Sequence, residues 1–170
     1  NFAENLLRFR NEHVAIYAIA ENIPLRKITH NELFHEVQAL TDSLKSCGLE
    51  KGDRVVGFIS NIPEAVTAML ATSAIGAIWS SASPDFGVKG ALDRFKQIDP
   101  KIVFASNGYY YNGKKFDLTE KLNSIINELP SINQTVIINL INSNKKENLS
   151  FDFVYYDDFL SKSPNRLQFE

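Results

Sequence analysis

One cysteine, one methionine and one tryptophan are all that this 170-residue chain holds of those three types. A lone thiol, Cys47, excludes an internal disulfide and any cysteine-based zinc cluster, and it suits a reducing cytoplasm. Cys47 is expected as a buried residue at a helix end. An excess of either charge sign is also missing: 18 Lys and Arg against 20 Asp and Glu leave a formal net charge of -2. No broad field then attracts nucleic acid or anionic lipid, so a phosphate-bearing ligand must be held locally, which points to a small-molecule site. The longest low-charge stretch, residues 65–83, is interrupted by Thr67, Thr72, Ser73 and Gly76 and falls short of the ~20 apolar residues that span a bilayer. The opening residues carry no initiator methionine, basic start or apolar signal core, so no secretory signal is visible. His13, His30 and His35 lack metal-ligand spacing, the last two standing five apart on one helix, and no metal site is expected. A G-x-x-x-x-G-K-[ST] phosphate loop is missing as well.

What is present is the composition of a globular domain, 44% hydrophobic and 22% charged, with enough apolar mass for a sizeable core. Residues 14–20 and 25–28 read as two strands of a hairpin around the turn-like Glu21-Asn22-Ile23-Pro24. Thr29 stands three residues before Glu32, a capping box. Leu33, Val37, Leu40 and Leu44 then recur at helical spacing until Gly48 supplies a stop. A strand over 54–59 is followed by a helix near Pro63 with Val66, Met69, Leu70 and Ala74 on one face.

A short strand over 77–80 leads to a helix over 87–98 striped by Val88, Leu92, Phe95 and Ile98 and ended by Pro100. Next come a strand over 101–105, a helix carrying Leu118, Leu122, Ile125, Ile126 and Leu129, and a strand over 135–141. A polar surface loop is expected over 142–150, then a last strand over 151–155 and a short helix over 157–160. This alternation predicts an α/β fold: right-handed crossovers and a mainly parallel sheet with helices on both faces. Val55, Ile59, Ile78, Val103 and Ile137 are expected in its strands, with Val66, Leu70, Leu92, Leu122 and Ile126 facing it from the helices.

Two segments suit a ligand. In Ser80-Ser81-Ala82-Ser83-Pro84-Asp85-Phe86-Gly87, small side chains and helix-start amides let a phosphate or a carbonyl approach the backbone where open α/β sheets place ligands. Ser83 or Asp85 as a plain helix cap explains the same residues. The loop Gly108-Tyr109-Tyr110-Tyr111-Asn112-Gly113-Lys114-Lys115 joins two cations to a cluster of rings, a composition suited to a nucleotide phosphate and base. A tyrosine-rich hairpin with two solvated lysines is the alternative. Lys51-Gly52-Asp53-Arg54-Val55 reads as structural: a turn, with Arg54 able to pair at the sheet edge.

Residues 48–55 together with Ile78-Trp79-Ser80-Ser81-Ala82-Ser83-Pro84-Asp85-Phe86-Gly87 resemble the amino-terminal part of adenylate-forming acyl-CoA synthetases. Trp79 and the wording over 83–87 are nearest to the acetoacetyl-CoA synthetases of that family. The resemblance implies that residues 1–170 are a partial amino-terminal domain, cut from something longer. It also implies a two-step ligase reaction, in which acetoacetate attacks the α-phosphate of ATP with release of pyrophosphate. The thiol of coenzyme A then attacks the acyl-adenylate and AMP leaves; Mg2+ accompanies ATP. The Ser/Thr/Gly-rich ATP loop, the acyl pocket and the lysine of a mobile carboxy-terminal domain are expected elsewhere in the parent polypeptide, so no catalytic residue is assigned and the isolated chain is expected to be inactive.

By the same resemblance the turn at Pro84, Asp85 and Phe86 lies beside the coenzyme A channel. Related acetyl-CoA synthetases carry a glycine pair where this chain has Pro84-Asp85. In the second segment that family carries arginines near the coenzyme A 3'-phosphate; Lys114 is the best cationic counterpart, beside Lys115, and Tyr110 falls where an arginine is expected. A synthetase for acetate or propionate, or a non-catalytic binding or assembly module, are the other readings.

Overall fold

The computed structural model describes residues 1–141 and 148–170. At its centre is a five-stranded, wholly parallel sheet in the order β4-β3-β5-β8-β9. The strands are β3 (Arg54–Phe58), β4 (Ile78–Ala82), β5 (Ile102–Ser106), β8 (Gln134–Ile138) and β9 (Val154–Tyr155). Two antiparallel hairpins stand apart from it: β1 (Val14–Ala20) with β2 (Ile23–Thr29), and β6 (Gly108–Tyr111) with β7 (Lys114–Asp117).

Because side chains alternate along a strand, the sheet divides its apolar residues between two cores. Val55, Phe104, Val136 and Ile138 pack with α1 (Phe2–Leu6), α2 (His30–Ser46), α3 (Pro63–Ala74) and α6 (Tyr156–Phe159). Val56, Phe58, Val103, Ala105 and Ile137 pack with α4 (Val88–Phe95) and α5 (Thr119–Ile126). Leu70, Leu122 and Ile126 are buried against these faces, and Val66 and Leu92 are half-buried beside them. Each fully buried side chain of this kind contributes about 1.5 to 3 kcal/mol.

Local signals place most elements. The Thr29 hydroxyl accepts the Glu32 N–H (3.1 Å) while the Glu32 carboxylate accepts the Thr29 N–H (2.7 Å), and the helix they open buries Leu33, Val37, Leu40 and Leu44. That backbone hydrogen bond holds the Glu32 carboxyl below the ordinary range. Gly48, in the left-handed region at φ 76°, closes the helix end.

Several expectations are corrected. The first turn is two residues, Glu21 and Asn22, because Asn22 takes a left-handed φ of 56° and Ile23 already pairs with Ala20. Helix α1 is an element beyond those expected; Asn1 caps it and Ala3 and Leu7 anchor it in the core. Beyond its first two residues, Pro63 and Glu64, α3 buries Thr67, Ala68, Leu70, Ala71, Thr72 and Ala74, whereas Val66 and Met69 are only half-buried; the small residues let the helix approach the sheet closely.

Helix α4 ends at Phe95 rather than 98, because the Ile98 N–H bonds the Phe95 carbonyl three residues back (3.2 Å), a tightened turn, before Asp99 takes a left-handed φ of 47°. Strand β3 stops one residue short of Ile59, and β4 runs over Ile78–Ala82 rather than 77–80, leaving Ile78 exposed on an edge. Cys47 does sit at the end of α2 but is exposed. Of the loop expected over 142–150, residues 142–147 lie outside the described residues, and the last strand keeps only Val154–Tyr155. No helix among the described residues is long and apolar enough to cross a membrane.

Candidate functional site

From β3 the chain crosses to β4 on one side and then to β5 on the other, so the carboxyl ends of β3 and β5 diverge into a crevice. A cavity of ≈ 270 Å³ opens there, walled by segments 20–23, 60–62, 83–85 and 109–111 together with Leu140. A groove of ≈ 560 Å³ lies between α4 and α5, and two more wide grooves lie elsewhere. One, ≈ 600 Å³, runs along α2 beside residues 165–168, away from the strand ends. The other, ≈ 540 Å³, sets Glu64, Asp157 and Asp158 against Arg26, a charge balance unsuited to a phosphate.

The turn after β4 is held from several sides. The Phe86 N–H donates to the Ser83 carbonyl (3.1 Å), and the Ser83 hydroxyl bonds the Asp85 carboxylate (3.2 Å). Lys121, on α5, donates from Nζ to the Pro84 carbonyl (2.9 Å) and the Phe86 carbonyl (3.4 Å). Arg94 lies over the Phe86 ring at 4.6 Å. Neither Ser83 nor Asp85 caps α4, whose N-cap is Gly87 without a side-chain hydrogen bond. The side-chain cap expected there is spent inside the turn instead.

The segment expected as a loop is the β6–β7 hairpin, because Asn112 and Gly113 both take left-handed φ, 49° and 71°, as a two-residue turn of this kind requires. Tyr109 stacks on Phe116 with ring centroids 5.0 Å apart. Burial pushes the Tyr109 phenol up, and the nearby Asp85 carboxylate acts in the same direction. The root of the hairpin is rigid: the buried Asn107 side chain accepts the N–H groups of Leu140 (2.9 Å) and Ile141 (3.1 Å) and donates to the Ile141 carbonyl (3.0 Å). Those bonds turn the chain out of β8 after Ile138, which corrects the strand expected to run to 141.

Of the six residues singled out for coenzyme A, Pro84, Asp85 and Tyr110 line the cavity, and Phe86, Lys114 and Lys115 lie outside its lining. Lys114 pairs with Tyr111 and Lys115 with Tyr110, so the two lysines emerge on opposite faces of the hairpin. Lys121 and Asn107 carry no sequence motif and act on backbone groups far along the chain. The hairpin did have a signal: Asn112-Gly113 between two short alternating runs. Arg54, foreseen at a sheet edge, sits on an inner strand and donates to the carbonyls of Ile98 (2.6 Å) and Asp99 (2.9 Å). Among the described residues no group of three His, Cys, Asp or Glu converges as a metal site.

Residues 2–167 match the family described as AMP-binding enzyme. The acetoacetyl-CoA synthetase of Macaca fascicularis is 45% identical over 178 positions, covering 100% of this chain and 26% of that protein. That of Mus musculus is 43% identical with the same coverage. The solved acetoacetyl-CoA synthetase from Streptomyces lividans superposes with a TM-score of 0.91 at 33% identity, over 100% of this chain and 26% of that one. The chain therefore spans about a quarter of the length of the curated relatives it matches.

Proposed function

The chain belongs to the AMP-binding enzyme family, and from that premise we propose that it is the amino-terminal part of an ATP-dependent acetoacetate–CoA ligase. It is homologous to acetoacetyl-CoA synthetase over that protein's amino-terminal quarter, and the family implies use of ATP. In this reading residues 1–170 are one part of a larger domain, and the remainder of the polypeptide supplies the ATP loop, the acyl pocket and the adenylating lysine. Acetoacetate is activated as its adenylate and transferred to the thiol of coenzyme A, with release of pyrophosphate and AMP, in the cytoplasm. Mg2+ supplies charge neutralisation on the triphosphate, and no group of this chain is assigned to it.

The observation that carries the reading is the meeting of the turn over 83–85 and the tyrosine hairpin in one cavity at the sheet's switch point. This chain then forms a wall of the coenzyme A channel. Pro84, Asp85 and Tyr110 shape the wall, Phe86 braces the turn, and Lys114 and Lys115, outside the lining on the β7 strand beside Tyr111 and Tyr110, supply compact positive charge that suits a phosphate. In the complete polypeptide, Lys114→Ala with Lys115→Ala is expected to raise the Michaelis constant for coenzyme A. Acetoacetate-dependent ATP–pyrophosphate exchange, which needs no coenzyme A, stays nearly unchanged. Equal damage to both reactions would assign the lysines to folding or adenylation instead.

A further inference from the structure

Two turns far apart in the sequence meet above the cavity. Glu21, at the β1–β2 turn, accepts the N–H of Asn112 on one carboxylate oxygen (2.9 Å) and the N–H of Gly113 on the other (2.8 Å). With Asn112 and Gly113 both left-handed, their successive amides form a small concavity that favours an anion, and here the anion is a side chain of the same molecule. Apart from the Phe116 ring stacked on Tyr109, the tip is open: residues 111–117 are all exposed, in contrast to the buried Asn107 and Gly108 at its root. Ala20, Glu21 and Tyr109 to Tyr111 lie together in the cavity wall, so the clasp joins two walls of one space.

We propose that Glu21 is a positioning residue, whose carboxylate seats on the Asn112 and Gly113 amides and fixes the tyrosine–lysine hairpin over the cavity where that hairpin meets a phosphate-bearing ligand. The inference rests on the reading that this hairpin contacts coenzyme A. Glu21 acts through the hairpin, and its loss affects coenzyme A and leaves adenylation alone. A carboxylate suits the task because both turn groups are donors and it offers an acceptor to each. A glutamine in its place offers one acceptor oxygen and a competing NH2.

The test is steady-state kinetics on the complete polypeptide, with Glu21→Ala and Glu21→Gln made alone and in the Lys114→Ala/Lys115→Ala background. Glu21→Ala is expected to raise the Michaelis constant for coenzyme A about fivefold to tenfold, as loss of one to two hydrogen bonds would, with kcat and pyrophosphate exchange unchanged. Glu21→Gln falls between alanine and the parent, and in the lysine background Glu21→Ala adds no further effect. Faster exchange of the Asn112 and Gly113 amides, at unchanged Trp79 emission, separates a loosened tip from a damaged fold. An unchanged constant, or a full additional loss in the lysine background, overturns the proposal. So does a lower constant, which would show Glu21 competing with the ligand for the turn amides. A lysine variant with no coenzyme A effect removes the coenzyme A reading and this inference together, whereas a lysine effect without a Glu21 effect removes the inference alone.

Discussion

Lys101 Nζ stands 2.7 Å from the Asp53 carboxylate, tying the turn before β3 to the residue that precedes β5. The same carboxylate accepts the Glu50 N–H at 2.8 Å, and Asp53 is only 9% exposed. Desolvation pushes the Asp53 carboxyl up, but Lys101, the Glu50 amide and Arg54 outweigh it and hold the group below the usual carboxylate range. A carboxylate depressed in the folded state contributes stability that is present above its unfolded value and is lost as the pH falls through the folded value.

Asp53→Asn is therefore expected to destabilise the chain by about 1 to 2 kcal/mol at neutral pH, a figure kept low because the lysine end is partly solvated. The difference from the parent narrows as the pH drops below the ordinary carboxylate range. Urea midpoints at neutral pH and in acid check this. A constant difference across that range would mean that the ion pair is not the source.

Glu36 gives the opposite slope. Burial, with the nearby charge of Glu64, raises its carboxyl, although Tyr156 donates to it at 2.6 Å and Arg26, engaged to Glu64 at 2.6 Å, pulls it down. A raised carboxyl contributes stability fully present below its unfolded value and lost as the pH rises through the folded one. Glu36→Gln is expected to flatten that loss, so the variant gains on the parent between mildly acidic and neutral pH. Parallel urea-midpoint profiles for the two would sink this account.

Much of this fold is legible because its signals are local. The Thr29 and Glu32 pair announces α2 from four residues, and β-branched runs such as that beginning at Val55 announce the inner strands. The face of α3 is harder to read, because a helix on a sheet buries alanine and threonine where close approach matters and turns Val66 and Met69 partly outward. The cavity wall follows the same logic. Its small-residue turn and Asn112-Gly113 are readable, but Glu21, Asn107 and Lys121 bind backbone groups 91, 33 and 37 residues away, and nothing in their neighbours marks them.

Gly57 lies where a Cβ would come 2.7 Å from a Trp79 ring carbon and 2.9 Å from the Ile59 Cγ2. Trp79 stands on β4 opposite Val55 and Ile59 directly follows β3, so both side chains must give way to admit the methyl group. Gly57→Ala is expected to cost about 1 to 3 kcal/mol, as overpacking of a filled core does. The single tryptophan reports it directly through a changed emission and a lower denaturation midpoint. An unshifted midpoint would mean that Trp79 rotates aside freely.

The last expectation separates scaffold from chemistry. The sheet closes two cores of its own, and the cavity is built from groups all within residues 20–140. Adenylation, however, needs the carboxylate, the α-phosphate and its countercharges held together in one geometry, and neither a Ser/Thr/Gly-rich phosphate loop with its lysine nor a three-residue metal group occurs among the described residues. The chain alone should then retain its sheet by circular dichroism. Incubated with acetoacetate, Mg2+ and labelled ATP, it should release no acetoacetate-dependent pyrophosphate above a protein-free control. Coenzyme A binding to the same sample, followed by calorimetry, should be weak and should diminish with Lys114→Ala. Robust pyrophosphate release by the pure chain would place the adenylation machinery inside these residues and overturn the division of labour proposed between them and the remainder of the polypeptide.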